Sequence, residues 1–179
     1  MKKVLLVLML SAVSLSMFAQ EPREFRHIVG LSPFQLLSGV RVKYETPLND
    51  RFSVGGLATF YYGNFPGFQL APQARFFFRE NAPEGFYAQA KLVAGFHSLR
   101  NAYPSVNFSS FGAGVALGYQ VFFGRDRRWT FDVNLGLKGV GGPPSQANEW
   151  AEDAVNTTVW FLTGPGSIID GLISIGYRF

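Results

Sequence analysis

The stretch GFYAQAKLVAGFH, residues 85–97, decides the fold class. Every second residue is apolar, which gives one face made of Phe86, Ala88, Ala90, Leu92, Ala94 and Phe96. The residues between them form a mixed face of Tyr87, Gln89, Lys91, Val93, Gly95 and His97. Successive side chains of a β-strand point to opposite faces, so this period of two predicts a strand with one apolar and one mixed face.

The same alternation recurs along the chain, and stretches rich in Gly, Pro, Asn and Asp separate the segments. The other segments lie at about residues 27–32, 37–45, 51–62, 68–79, 110–123, 129–138 and 167–179. Pro72 weakens the middle of the fourth segment, because proline cannot donate to a strand ladder. Closing eight strands into one barrel removes both sheet edges. The predicted fold class is therefore all-β, an eight-stranded antiparallel up-and-down barrel.

The N-terminal stretch MKKVLLVLMLSAVSLSMFAQ has the pattern of an export signal. Two lysines precede an apolar run, Val4–Leu10, and small residues lead to Ala19. We expect residues 1–19 to be a signal peptide cleaved near Ala19, and residues 20–179 to form one barrel domain. No apolar run of the length needed for a membrane-spanning helix follows. The chain has no cysteine, which excludes acylation at a lipobox and disulfides.

Periodicity alone does not tell which face points inward. In a soluble, lipocalin-like barrel the apolar face forms the core, whereas in an outer-membrane barrel it meets lipid and the mixed face fills the lumen. Loop lengths favour the membrane barrel, because short connections near 46–51, 79–85 and 124–128 alternate with long ones at 98–108 and 141–166. Outer-membrane barrels have short periplasmic turns and longer external loops.

Aromatic residues beside the short turns also favour the membrane barrel. They form an expected periplasmic girdle of Tyr44, Phe52, Phe76, Phe78, Phe86, Phe123 and Trp129. Aromatic rings gather at membrane interfaces, whereas a soluble core gives no reason to sort rings to one end. The mixed face is also rich in glycine and poor in the Lys and Glu that cover a soluble barrel. We therefore predict a transmembrane barrel in the outer membrane of a Gram-negative bacterium.

The export signal, the eight alternating segments and the terminal Tyr177-Arg178-Phe179 resemble the small outer-membrane barrels of the OmpA and OmpX type. The stretch VRVKYETPLNDRFSVGGLATFYYG, residues 40–63, is also similar to strands of uncharacterised small barrels from Bacteroidota. This resemblance implies that the barrel-assembly machinery reads the last strand as its assembly signal. The matching positions are Ile173, Ile175, Tyr177 and Phe179, whereas Gly171 departs from the pattern.

With the apolar face outward, ten charged residues are expected to face the lumen. They are Arg41, Lys43, Glu45, Arg75, Arg79, Lys91, Asp132, Lys138, Asp170 and Arg178. Unpaired buried charge is costly, so we expect these residues to pair into a network that plugs the barrel. An anion-favouring path or a small anionic ligand site is the alternative. Eight strands leave room only for side chains, so a general diffusion pore is not expected.

The predicted function is a structural and interaction scaffold whose external loops 98–108 and 141–166 contact the exterior or a partner, without enzymatic activity, cofactor or metal. Its expected partners are outer-membrane lipid and, during biogenesis, the assembly machinery; nucleic acid is not expected. The formal charge of +4 falls to +2 without the two N-terminal lysines, which favours no particular ligand. Trp150, Trp160 and Phe161 lie in the 141–166 loop, where a short helix is expected at 148–155. They either pack on the barrel rim or contact an extracellular partner.

Two other functions remain open. An outer-leaflet lipid-modifying enzyme needs a hydroxyl within reach of an imidazole and an acid to orient the ring. His97 and Ser98 are the candidates, yet adjacent strand residues point to opposite faces and the strand at 111–123 has no carboxylate. A soluble periplasmic binding barrel requires the faces to be inverted.

Overall fold

The computed structural model describes residues 27–33, 39–62, 65–99, 106–142, 157–162 and 164–179. Eight antiparallel strands close into one barrel in which each strand pairs with its neighbours in the chain. The strands are β1 Ile28–Ser32, β2 Gly39–Pro47, β3 Phe52–Tyr61, β4 Gly67–Phe77, β5 Gly85–Leu99, β6 Val106–Phe123, β7 Trp129–Val140 and β8 Ile169–Arg178. The predicted eight-stranded antiparallel up-and-down barrel is confirmed.

Outside the strands, the described residues contain one helix, at 157–162. No helix in these residues is long and apolar enough to cross a membrane. The expected signal peptide and the expected helix at 148–155 lie outside the described residues, so both stay predictions.

The last strand closes the barrel, because β8 pairs with β7 on one side and with β1 on the other. The ladder between β1 and β8 is extended by two backbone hydrogen bonds between His27 and Phe179, of 3.1 and 3.0 Å. Both ends of the barrel chain therefore lie at the same rim as the turns after β2, β4 and β6. We call this the lower rim, and the opposite one the upper rim.

Strand β4 continues through Pro72, and the proline interrupts only one of its two ladders. The pairing with β3 is continuous, whereas the pairing with β5 runs from Leu70 opposite Ala94 directly to Gln73 opposite Lys91. The missing N–H of proline is thus accommodated by a local gap on the β5 side.

The predicted bounds of the 98–108 loop are wrong, because the observed connection is shorter at both ends. Strand β5 extends to Leu99 and β6 begins at Val106, and these two residues pair directly. Leu99 continues the alternation and is buried among apolar residues of the upper barrel, which extends the ladder. Only residues 100–105 connect the two strands, so the difference in loop length between the rims is smaller than the sequence indicated. The 141–168 connection remains long.

The mixed face points into the barrel and the apolar face points out. Lys43, Arg75 and Asp132 on the inner face are each at most 1% exposed. Leu92 and Leu117 on the outer face are 65% and 64% exposed. The arrangement is the reverse of a water-soluble barrel with an apolar core.

Candidate functional site

A belt of aromatic side chains surrounds the outer surface at the lower rim. Neighbouring rings touch, with ring centroids 5.2 Å apart for Phe52 and Phe76 and 5.4 Å apart for Trp129 and Tyr177. All the residues predicted for the girdle lie here, and the lower belt consists of Tyr44, Phe52, Phe76, Phe78, Phe86, Phe123, Trp129, Tyr177 and Phe179. His27 joins it through a 2.7 Å hydrogen bond between its Nδ1 and the Tyr44 hydroxyl.

A second belt lies near the upper rim, and it was not predicted from the sequence. This upper belt consists of Phe60, Tyr62, Phe68, Phe96 and Phe111, each more than a third exposed. Phe68 lies opposite Phe60 on one side and opposite Phe96 on the other, so the rings line up across three strands. The expectation that rings gather at one end only is therefore wrong. The sequence contains the pattern that predicts the upper belt, because the outward-facing positions carry aromatic residues at both ends of the strands.

An uncharged band separates the two belts. Its exposed residues include Leu70, Leu92, Val115, Leu117, Val133, Leu135 and Leu137. On β5 the belts are marked by Phe86 and Phe96, ten residues apart. At about 3.3 Å per residue and a strand tilt of roughly 40°, this spacing corresponds to a height of about 25 Å. None of the described strand residues facing outward between the belts is charged.

Four charged side chains cross the lower lumen and form a closed ring of ion pairs. Lys43 Nζ lies 2.6 Å from Asp132 Oδ2 and 2.8 Å from Glu45 Oε2. The guanidinium of Arg75 lies 2.9 Å from each of the same two carboxylates. Each cation therefore contacts both anions. We call Lys43, Glu45, Arg75 and Asp132 the tetrad; its charges balance, and it joins β2, β4 and β7 across the barrel.

Neutral groups satisfy the remaining hydrogen bonds of the tetrad. Gln120 Oε1 accepts from Lys43 at 2.5 Å and from Arg75 at 3.1 Å. The Tyr87 hydroxyl donates to Asp132 at 2.5 Å, and Ser53 Oγ donates to Glu45 at 2.5 Å. Charge-assisted bonds of this kind hold a buried ionic group in one geometry.

Gly118 makes room for one of these neighbours. It lies opposite Tyr87 in the ladder, and a Cβ added at position 118 would lie 2.5 Å from the Tyr87 hydroxyl oxygen. Because Asp132 and Asn134 both hold that hydroxyl, the ring cannot move aside without breaking hydrogen bonds. The glycine-rich inner face of β6 thus serves the packing of the ionic network.

A second charged layer lies above the tetrad. Lys91 Nζ pairs with Asp170 Oδ2 at 2.5 Å. Arg41 donates to the Thr59 hydroxyl at 3.1 Å and to a backbone carbonyl, and Lys138 Nζ donates to the Pro165 carbonyl at 2.9 Å. We call Arg41, Lys91, Lys138 and Asp170 the upper layer.

Of the residues predicted for the lumen network, Arg79 lies outside the lumen and Arg178 lies at its lower mouth. Arg79 is exposed in the turn after β4, because the strand ends at Phe77 and its alternation no longer applies. Arg178 is half-buried at the lower rim, where its guanidinium carbon lies 4.3 Å from the centre of the Phe122 ring. The other eight predicted residues are buried inside the barrel.

An aromatic plug fills the lumen at the upper rim. Trp160, on the 157–162 helix, is fully buried against inward-facing residues of the strands. Its ring lies 5.2 Å from Phe65, 5.2 Å from His97 and 5.3 Å from Phe108 between centroids. Gly166 passes directly beside the indole, where a Cβ would collide with it. The upper lumen is therefore closed by the chain itself.

This packing corrects the contact role expected for Trp160, because a fully buried ring cannot be offered to a partner. Of the two alternatives, packing on the barrel is the one it adopts. Phe161 is partly buried against the same cluster, and Trp150 lies outside the described residues.

His97 lies inside the barrel beneath Trp160, whereas Ser98 is on the opposite face of β5. Neither ring nitrogen of His97 has a hydrogen-bond partner in the described part of the chain, so no described carboxylate orients its ring as a catalytic imidazole requires. This geometry does not favour the lipid-modifying alternative. The described residues also contain no group of three or more His, Cys, Asp or Glu side chains placed to hold a metal ion.

Comparisons with protein-family models, curated proteins and solved structures gave no significant match.

Proposed function

We propose that this protein is a small outer-membrane barrel that acts as a closed scaffold and presents its 141–168 connection at the cell exterior. The observation that supports this most is the uncharged outer band, about 25 Å high, between two aromatic belts. Barrels that cross the outer membrane have an apolar band of this height flanked by aromatic girdles. A soluble lipocalin-like barrel needs its apolar face inside, so the orientation argues against that alternative.

The extent of the outer apolar surface adds to the proposal. Leu92, Leu117 and Leu135 are each more than 60% exposed, and similar residues surround the barrel on every strand. The largest apolar patch on a soluble monomer usually covers a few hundred Å². Lipid chains would cover such a band without the cost that water imposes.

The filled lumen supports a scaffold rather than a pore. The tetrad closes the lower part by side chains that span the barrel, and Trp160 closes the upper rim. We place the lower rim in the periplasm, with the barrel-assembly machinery reading Ile173, Ile175, Tyr177 and Phe179 on the closing strand. The β5–β6 connection comprises only residues 100–105. We therefore assign the external contact to the longer 141–168 connection.

The test uses the full chain folded into phosphatidylcholine vesicles. We expect an SDS gel band that shifts when the sample is boiled, because a membrane barrel resists SDS until it is heated. We also expect vesicles that contain the folded form to retain trapped potassium as well as empty vesicles do. A protein that stays in buffer and shows no shift contradicts the membrane barrel, whereas a shifting band with rapid potassium loss contradicts the closed scaffold.

A further inference from the structure

Among the described residues, the buried charges of the barrel do not balance. Besides His97, the described buried residues include five cationic side chains and three carboxylates. The tetrad contains two of each, so the excess of two positive charges lies in the upper layer. There, Arg41, Lys91 and Lys138 all act on the single carboxylate of Asp170.

The protein partners of the upper layer are mostly neutral. Arg41 donates to a hydroxyl and a carbonyl, and Lys138 donates to the Pro165 carbonyl. Such oxygens satisfy N–H donors, but within the described part of the chain they leave the charges uncompensated. Burying an uncompensated charge is among the most expensive features that a fold can contain.

Gln73 provides an independent indication of a ligand in the same layer. It lies opposite Lys91 in the β4–β5 ladder and is only 5% exposed. Neither its Oε1 nor its Nε2 has a hydrogen-bond partner in the described part of the chain. A buried amide without partners costs free energy, and its NH₂ group is a suitable donor to an anion.

We propose that the upper layer binds a small inorganic anion of about the size of chloride. Arg41, Lys91 and Lys138 supply the compensating charge, and the Gln73 amide donates a hydrogen bond. Trp160 lies above this layer and the tetrad lies below it. This site is a property of the lumen and goes beyond the proposed scaffold function.

The first experiment compares thermal unfolding of the folded protein in sodium chloride and in sodium gluconate at equal ionic strength. At a chloride concentration about 100 times the dissociation constant, we expect the midpoint to rise by roughly 5 °C relative to gluconate. The double variant Arg41→Met/Lys138→Met removes the excess charge and should lose this difference. Arg79→Gln removes an exposed cation outside the lumen and should keep it.

A second experiment uses the wild-type protein and does not depend on the folding of any variant. Crystals grown in sodium bromide should show anomalous scattering from bromide between Arg41, Lys91 and Lys138. Equal midpoints in both salts, or bromide found only on the outer surface as an adventitious ion, would overturn the proposal. Neither result depends on whether the vesicle test supports the scaffold function.

Discussion

Replacing Asp132 with leucine is expected to destabilise the folded barrel by about 3–5 kcal/mol. The substitution removes one of two carboxylates that Lys43 and Arg75 share, and it leaves two buried cations with Glu45 alone. The Tyr87 hydroxyl loses its acceptor as well. The free energy of unfolding is measured by urea titration of the protein in vesicles, with tryptophan fluorescence as the signal.

Two controls show whether charge balance, rather than packing, sets this cost. The double variant Lys43→Met/Asp132→Leu leaves Arg75 paired with Glu45, and we expect it to be more stable than Asp132→Leu by at least about 1 kcal/mol. Asp126→Leu changes an exposed carboxylate in the β6–β7 turn and should leave unfolding unchanged. A single Asp132→Leu variant as stable as wild type would contradict the role of the tetrad.

Replacing Leu92 with arginine is expected to cost about 2–4 kcal/mol in vesicles, because position 92 lies near the middle of the outer band. The same change at a water-exposed site of a soluble protein is usually within about 0.5 kcal/mol of neutral. Because Leu92 is largely exposed, this substitution distinguishes an outer face that contacts lipid from one that contacts water. The measurement is again urea unfolding from vesicles, together with the yield of the heat-modifiable band.

The matched control is Asp126→Arg, which introduces the same side chain in a turn beyond the lower belt. We expect this variant to fold with wild-type yield. If Leu92→Arg and Asp126→Arg behave alike, the band at position 92 is not in contact with lipid.

Much of the barrel could be predicted because its strand pattern is local. In a strand, residue 91 points opposite to residues 90 and 92 wherever the strand lies, so Lys91, Asp132 and Asp170 could be assigned to one face from the sequence. Loop lengths and aromatic residues indicate that this face points into the barrel. The loop lengths were partly wrong, because the pairing of Ser98 and Leu99 with β6 depends on the neighbouring strand.

The remaining errors concern where a strand ends and which distant residues come into contact. Arg79 follows the alternation of its segment, yet the strand ends before it. Trp160 lies in a long connection whose composition does not show that it folds back onto Phe65, His97 and Phe108. The alternation likewise identifies which charges share the lumen, but not that the upper layer has one carboxylate for three cations.

The central claim, that the outer band faces lipid, is tested most directly by a spin-label scan of β5. Because the chain has no cysteine, a single cysteine can be placed at each position from 86 to 96 and labelled in vesicles. We predict that labels at the even positions are accessible to oxygen and protected from a water-soluble nickel chelate, most strongly near position 92. Even positions that are readily reached by the nickel chelate would contradict the claim.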